Sequence, residues 1–157
     1  MDKDFFLKSA DRHKDTVYRI ALNYFRNTYD AEDILQEVLL KFYTSRKKFD
    51  GEDHIRNWLI RVTINLCKNT LRVPWRKRDV ALDELADSMS FEHEEESEVF
   101  EVVMELPEKN RIVLYLYYYE DYSVKEIADM LKLKETAVTS RLSRARKQLE
   151  FKLTEVS

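Results

Sequence analysis

The chain has almost no glycine or proline: one Gly and two Pro occur in 157 residues. A sheet with many tight turns needs more of both residue types. This scarcity excludes a turn-rich β protein and favours helices joined by short connections. A hydrophobic content of 44% is enough to build cores. The fold class predicted from composition is therefore all-α.

The sequence is also poor in cysteine and in long apolar runs. The single cysteine, Cys67, cannot form an intramolecular disulfide, which favours a reducing compartment. No apolar run approaches the roughly 20 residues of a membrane-spanning helix, and the first residues lack the basic-then-apolar layout of a signal peptide. We therefore expect a cytoplasmic protein that is not itself a membrane protein.

Motifs of catalysis are absent as well. The three histidines, His13, His54 and His93, are scattered without metal-ligand spacing. No glycine-rich phosphate loop and no nucleophile motif occurs in the sequence. The sequence thus predicts neither an enzyme nor a site for a metal or cofactor.

Charge divides the chain into three parts, although the net charge is only −3. Residues 1–78 hold 17 Lys and Arg against 11 Asp and Glu (+6), residues 79–108 hold 12 acids and no base (−12), and residues 109–157 hold 10 against 7 (+3). Because binding to nucleic acid depends on where the positive charge lies, an acidic total does not exclude it. We predict two small helical domains joined by an acidic linker, with the order 1–76, 77–98 and 99–157.

Hydrophobic periodicity and capping residues predict a series of helices. They run over residues 4–26, 31–47, 55–72, 95–105, 108–120, 124–131 and 135–153. Gly51 lies in the loop before the third helix, where a turn needs it. Pro74 is expected to end the third helix, and Pro107 suits the first turn of a later one.

The last two predicted helices form the most informative segment, 123–149. Ser123 and Glu126 make a capping box at its start. The apolar stripes that follow are Ile127, Ala128 and Leu131 on the first helix and Val138, Leu142, Ala145 and Leu149 on the second. Hydroxyls and basic groups share a different face of the second helix: Thr139, Ser140, Ser143, Arg144 and Lys147. This pattern is typical of a helix-turn-helix that contacts base edges and phosphates in a DNA major groove; a surface hairpin with solvated basic residues is the alternative.

The predicted second helix presents an outer face of mixed character. Its core stripe consists of Ile34, Leu35, Val38, Leu39 and Phe42. The opposite face carries Asp33, Gln36, Glu37 and Leu40. A leucine that points outward among acids suggests a contact with another protein, whereas a single exposed leucine is also ordinary on a soluble surface.

The predicted third helix carries a row of long hydrogen-bond donors. Arg61, Asn65, Lys68 and Arg72 recur at i, i+4, i+7 and i+11, a row able to track a phosphate backbone. In the loop 49–55 before it, Phe49, His54 and Ile55 are placed to stack on or enclose an unpaired base. For Phe49 and Ile55 the favoured alternative is that they close the core. The inward side of the third helix is expected to carry Ile55, Trp58, Leu59, Val62 and Leu66.

In these segments the chain resembles the extracytoplasmic-function sigma factors, the small two-domain members of the bacterial sigma-70 family. YDAEDILQEVLLKFY resembles the helix by which the second sigma domain holds core RNA polymerase. HIRNWLIRVTINLCKNTLR resembles the helix that recognises and melts the −10 promoter element. LPEKNRIVLYLYYYEDYSVKEIADML and LKETAVTSRLSRARKQL resemble the fourth sigma domain with its −35 helix-turn-helix.

The resemblance implies a role for each face. Core RNA polymerase is expected to bind Asp33, Gln36, Glu37 and Leu40. The melted −10 strand is expected to contact His54, Arg56, Asn57, Arg61, Asn65, Lys68 and Arg72. The −35 element is expected to contact Thr139, Ser140, Ser143, Arg144 and Lys147. The resemblance also implies that the acidic linker threads polymerase channels built for polyanions, and that an anti-sigma factor, often membrane-anchored in this family, is a further partner.

The helix-turn-helix departs from the family pattern at its turn. Lys132 and Thr136 stand where the family usually has glycines, and Thr139 stands where it has a basic residue. Because Thr139 and Ser143 have short side chains, direct base readout is expected to rest mainly on Arg144. Phosphate contacts or DNA shape then supply the remainder.

The predicted function is that of an alternative sigma factor, which directs core RNA polymerase to particular promoters. Two alternatives remain at this point: a helix-turn-helix transcriptional regulator with a sensory N-terminal lobe, and a helical adaptor that does not bind DNA. The second and third helices favour the sigma factor, because a sensor domain has no reason to carry their patterns. Salt-dependent DNA binding separates the adaptor from the other two.

Overall fold

The computed structural model of the protein describes residues 1–71 and 98–156. All regular secondary structure in these two ranges is helical, which confirms the predicted fold class. The chain divides into two compact units, Met1–Ser90 and Phe91–Ser157, here called unit 1 and unit 2. The predicted linker, 77–98, lies almost wholly outside the described residues, as does the end that Pro74 was expected to impose. The predicted domain boundaries therefore stay a prediction.

Within residues 1–71, unit 1 is a three-helix bundle of α1 (Lys3–Phe25), α2 (Thr28–Thr44) and α3 (Glu52–Leu71). Helix α1 packs against both of the others, and α2 and α3 also contact each other. The fully buried side chains include Val17, Ile20, Ile34, Val38, Phe42, Leu59, Ile60 and Ile64. Apolar residues three or four positions apart supply these layers, so the bundle follows from the periodicity of the sequence.

Helix α2 begins three residues before its predicted start at residue 31. The Asn27 side-chain oxygen accepts the backbone N–H of Asp30 at 2.7 Å, and Asn27 has extended backbone angles. Asn27 is thus the N-cap, and its carboxamide satisfies a backbone donor of the first turn. Helix α3 likewise begins at Glu52, directly after Gly51, whose φ of +114° confirms that the turn requires glycine.

The buried side of α3 is rotated from the predicted one. Ile55 and Leu59 are buried as expected, but Val62 and Leu66 are only half-buried. Trp58 is also half-buried, although its ring packs against Phe42 and Phe49. The deepest row continues instead through Ile64 and Cys67, both fully buried. Because α3 lies against α1 as well as α2, its buried arc is set by two neighbours and not by the single best apolar stripe.

The described part of unit 2 contains four α-helices: α4 (Glu98–Met104), α5 (Glu108–Leu114), α6 (Val124–Leu131) and α7 (Glu135–Val156). Pro107 precedes α5 as its N-cap residue. The buried Arg111 on α5 donates to the carbonyl oxygens of Met104 at 3.1 Å and Leu106 at 2.9 Å. These bonds satisfy carbonyls at the end of α4 and so fix the turn between α4 and α5.

A π-helical turn, Tyr115–Tyr119, continues α5 where the sequence predicts an uninterrupted helix to residue 120. The Glu120 N–H donates to the Tyr115 carbonyl at 3.2 Å, which is an i→i+5 bond. Leu116 remains fully buried, while Tyr118 and Tyr119 are exposed. The wider turn therefore places tyrosine rings on the surface without removing the leucine from the core.

Helices α6 and α7 form the predicted helix-turn-helix. Val138, Leu142 and Ala145 on α7 are buried, as the stripe predicted, and Leu149 is half-buried. Lys132 ends α6 with a φ of 58°, in the left-handed conformation that glycine usually supplies at this position. The turn is thus formed with lysine in place of the family's glycine, at the steric cost of a Cβ in that region.

Removal of the α6 cap is expected to destabilise unit 2. The Ser123 hydroxyl accepts the Glu126 N–H at 3.1 Å, and the Glu126 carboxylate accepts the Ser123 N–H at 2.9 Å. Ser123→Ala removes the first bond, so we expect the free energy of unfolding to fall by about 1 kcal/mol. Urea denaturation followed by circular dichroism measures this change. The matched control is Ser140→Ala, on the exposed side of α7, for which an equal loss would contradict the role of the cap.

None of the helices within residues 1–71 and 98–156 is long and apolar enough to cross a membrane.

Candidate nucleic-acid and protein interfaces

The predicted DNA-contacting side of α7 is solvent-accessible. We call it the recognition face: Thr139, Ser140, Ser143, Arg144 and Lys147. Ser143 is half-buried and the other four are exposed. The buried stripe of α7 occupies the other side of the helix, against α5 and α6. The fold therefore leaves the hydroxyls and the cations free to meet a ligand from outside.

One hydroxyl of the recognition face is already used within the helix. Thr139 Oγ1 donates to the Glu135 carbonyl at 3.0 Å, one turn earlier. Its lone pairs remain available as acceptors, but its proton is committed unless the side chain rotates. Arg144, with five N–H donors on a long side chain, is the strongest candidate for bidentate contact with a guanine.

Sequence reasoning missed a basic residue beside this face. The Arg146 Nε donates to the Tyr118 hydroxyl at 2.6 Å, and its guanidinium lies 5.4 Å from the Tyr118 ring centroid. The centroid of the Tyr117 ring lies 5.7 Å from the same guanidinium. The spacing of Arg146 from Thr139, i and i+7, was a signal that placed it next to the recognition face. Its contact with the tyrosines depends on the π-helical turn and had no sequence signal.

Most of the predicted −10 residues share one side of α3, here called the α3 polar face: His54, Asn57, Arg61, Asn65 and Lys68. Arg61 and Asn65 are exposed, and the other three are half-buried. Arg56 follows His54 by two positions and so points to the other side of the helix. The structure therefore does not bring Arg56 onto this face. Arg72 lies outside the described residues.

His54 links the α3 polar face to the loop before it. Its Nδ1 accepts the Asp50 N–H at 2.9 Å, which leaves Nε2–H directed away as a donor. The same ring lies edge-on to Phe49, with 5.2 Å between centroids. The Phe49 ring in turn packs against Phe42 and Trp58, with 5.6 and 5.5 Å between ring centroids. Ile55 is buried. Phe49 and Ile55 thus support the core, as the favoured alternative predicted.

The outer side of α2 brings its four predicted residues together. We call it the α2 outer face: Asp33, Gln36, Glu37 and Leu40. Gln36 is exposed, Asp33 and Glu37 are half-buried, and Leu40 exposes 62% of its surface. Ile34, Val38 and Phe42 fill the opposite, buried side of the helix. An apolar side chain this exposed among acids is a suitable anchor for a protein partner.

Comparison with known proteins agrees with this geometry. Residues 10–77 match the family model of sigma-70 region 2, and residues 97–149 match that of sigma-70 region 4. The chain is 28% identical to the ECF RNA polymerase sigma factor SigW of Bacillus subtilis, over 99% of the chain and 92% of that protein. It is 30% identical to the RNA polymerase sigma factor SigV of the same organism, over 90% of the chain and 87% of that protein.

A solved structure shows the same fold. The sigma factor RpoE of Bartonella quintana, crystallised with the anti-sigma factor NepR, superimposes with a TM-score of 0.74, over 98% of both chains and at 20% sequence identity. Region 2 thus corresponds to the part of the chain that carries the α2 outer face and the α3 polar face, and region 4 to the part that carries the recognition face. The chain therefore belongs to the extracytoplasmic-function group of the sigma-70 family, alternative RNA polymerase sigma factors that direct transcription initiation to promoters.

Proposed function

We propose that the three faces divide the work of promoter-specific initiation between the two units. The α2 outer face binds core RNA polymerase, the α3 polar face binds the −10 element, and the recognition face binds the −35 element. The observation that carries this proposal is the exposure of a donor-bearing helix face in each unit: Arg61 and Asn65 on α3, and Ser140, Arg144 and Lys147 on α7. Two such faces in one chain fit a promoter with two separate elements.

In unit 1 the proposal assigns the α3 polar face to the non-template strand of the melted −10 element. Arg61 and Lys68 contact phosphates, and Asn65 and the free Nε2–H of His54 offer hydrogen bonds to bases. Unpairing DNA costs about 1 kcal/mol or more per base-pair step. Contacts that exist only with the separated strand offset that cost and so favour the open complex. Arg72 is proposed for the same strand on its sequence position alone, and Arg56 has the weakest support because of its orientation.

In unit 2 the proposal assigns −35 readout to α7. The N-terminal part of a recognition helix lies deepest in the major groove, which places Thr139, Ser140 and Ser143 near base edges. Arg144 supplies the long bidentate donor, and Lys147 supplies a phosphate contact further along the helix. Under this assignment, the preference for a particular −35 sequence depends mainly on Arg144.

The remaining partners follow from the family and from charge. We propose that the chain acts in the cytoplasm with core polymerase and has no catalytic activity of its own. We also propose that an anti-sigma factor, of the kind that is often anchored in a membrane in this family, holds it inactive. The Bartonella relative in the superimposed structure is in complex with the anti-sigma factor NepR. The predicted linker, residues 77–98, holds nine acids against two bases and is proposed to follow polymerase channels that otherwise hold RNA.

Run-off transcription tests the proposed function. Purified bacterial core polymerase is assayed with and without this protein on a pool of upstream fragments from its own genome. Discrete start sites that appear only with the protein are the expected result, and their alignment defines both promoter elements. Specific duplex binding without initiation would instead indicate an ordinary regulator, and the absence of both activities would indicate an adaptor.

The role of Arg144 has its own test on the promoters found in this way. Arg144→Ala is expected to reduce initiation about tenfold or more, because a bidentate arginine–guanine contact contributes about 1–3 kcal/mol of discrimination. The loss is expected only on promoters with the native −35 element. An equal loss on promoters with a scrambled −35 element would contradict base readout by Arg144. Ser140→Ala is the matched control: it removes a short side chain from the same face, so a smaller loss of initiation is expected.

A further inference from the structure

The Arg146 side chain is held in place by two tyrosines that the proposed function does not use. Its Nε donates to the Tyr118 hydroxyl at 2.6 Å, and its cation lies 5.4 and 5.7 Å from the ring centroids of Tyr118 and Tyr117. The two rings meet edge to face at 4.9 Å. No carboxylate within the described part of the chain forms an ion pair with Arg146. The exposed guanidinium is therefore oriented by neutral groups and not by a carboxylate counter-ion.

The hydrogen-bonding capacity of this guanidinium is mostly unused. One N–H, on Nε, is committed to Tyr118, and the two terminal nitrogens carry four further donors. A planar pair of N–H groups with a fixed orientation matches two oxygens of one phosphate. Because the tyrosines already restrict the rotamer, less side-chain entropy is lost when an anion binds.

The position of Arg146 on α7 indicates which anion it meets. Thr139, Ser143 and Arg146 recur at i, i+4 and i+7, so they form one row along the edge of the recognition face. At 1.5 Å per residue, Arg146 lies about 10 Å beyond Thr139 along the helix axis. When the start of a recognition helix enters the major groove, residues this far along it leave the groove near the DNA backbone.

We infer that Arg146 binds a backbone phosphate beside the −35 element, and that Tyr118 is a positioning residue for this contact. The inference rests on the proposed function, since it requires α7 to dock at −35. The contact carries no base preference, so it raises affinity for any sequence placed in this register. It also supplies binding energy that the short Thr139 and Ser143 side chains cannot supply by base readout.

The test measures binding of the whole holoenzyme to a promoter fragment identified by run-off transcription. Affinity is determined from about 0.05 to 0.2 M KCl, on the native fragment and on one with a scrambled −35 element. Arg146→Ala is expected to weaken binding about tenfold at the lowest salt, since a charged hydrogen bond is lost. It is also expected to make the slope of log K against log salt shallower by about 0.9, which corresponds to one phosphate. The preference for native over scrambled −35 DNA is expected to stay unchanged.

Tyr118→Phe separates positioning from general structure, because it keeps the ring and removes only the hydroxyl. It is expected to weaken binding by a smaller factor than Arg146→Ala, and to have no further effect in the Arg146→Ala background. Arg146→Lys is expected to retain the slope of log K against log salt, because the positive charge remains. In this background Tyr118→Phe is expected to have no further effect on affinity. Lys109→Ala removes an exposed charge from α5 as the matched control, with no expected effect on the slope.

Three results would overturn the inference: unchanged affinity in Arg146→Ala, a changed −35 preference, or additive losses from Tyr118→Phe and Arg146→Ala. Circular dichroism checks whether each variant folds. If Arg146→Ala does not fold, Tyr118→Phe is compared in the wild-type and Arg146→Lys backgrounds, which again tests whether the effect of Tyr118 depends on Arg146. A wild-type holoenzyme that selects no promoter would overturn the proposed function itself. Promoter selection by the wild type together with an inert Arg146 would overturn only this inference.

Discussion

Phe42→Ala is expected to lower the free energy of unfolding of unit 1 by about 4 kcal/mol. The Phe42 side chain is fully buried and lies between all three helices and the loop before α3. Its ring centroid is 5.9 Å from Phe6, 5.6 Å from Phe49 and 6.0 Å from Trp58. Truncation removes these contacts and leaves a cavity that helices on three sides cannot fill. Since small domains are stable by only about 5–15 kcal/mol, much of unit 1 is then unfolded at modest denaturant.

Urea titration followed by tryptophan fluorescence measures this loss, because both tryptophans of the chain, Trp58 and Trp75, fall within unit 1 and Trp58 contacts Phe42 directly. The control is Tyr43→Ala, one residue along α2, where the ring contacts Phe6 but is 40% exposed. Its cost is expected to be about 1 kcal/mol, the size of one aromatic pair at a surface. Equal losses from the two variants would contradict the central role of Phe42. Because Phe49 carries the His54 loop, Phe42→Ala is also expected to impair −10 opening.

Leu40→Asp is expected to weaken binding to core RNA polymerase by about 30-fold and to abolish promoter-directed transcription at ordinary concentrations. Leu40 is 62% exposed at the C-terminal end of the α2 outer face, with Gln36 and Glu37 one turn away. An apolar anchor of a protein interface typically contributes about 2 kcal/mol or more, which corresponds to the stated factor. An aspartate there loses the apolar contact and adds a charge that the interface must desolvate.

The affinity of labelled core polymerase for the variant measures this effect directly, and circular dichroism shows whether the helices remain. Leu7→Asp is the matched control: Leu7 is also an exposed leucine of unit 1, but it lies on α1. We expect its affinity for core polymerase to remain near that of the wild type. If the two variants lose affinity alike, the apolar contact with polymerase is not specific to the α2 outer face. If neither loses affinity, the proposed role of Leu40 is wrong.

The parts of the fold that depend on local sequence were predictable. The capping box of Ser123 and Glu126 and the buried row from Val138 to Ala145 are both as the sequence predicted. The start of α2 was not, because Asn27 competes with Asp30 as a capping residue and only backbone geometry decides between them. The sequence showed that Lys132 stands where the family usually has glycine. Only the structure shows that Lys132 adopts the left-handed conformation.

The parts that depend on contact between distant segments were less predictable. The half-burial of Trp58 follows from the position of α3 against two helices, which no single stripe reveals. The same holds for Arg146, since its tyrosine partners lie about 28 positions earlier. Residues of the three faces could be named from spacing because exposure on a helix follows the core stripe. Their individual roles could not, since these depend on ligands that the spacing does not specify.

The burial of Cys67 means that the reactivity of its thiol reports on the opening of unit 1. The thiol is fully covered in the folded chain and is the only one in the sequence. A thiol-reactive dye therefore modifies the protein only when unit 1 opens, and the labelling rate counts openings of that unit alone. Unit 2 contributes no signal, because it has no cysteine. The opening of unit 1 can thus be followed in the unmodified chain, independently of what happens in unit 2.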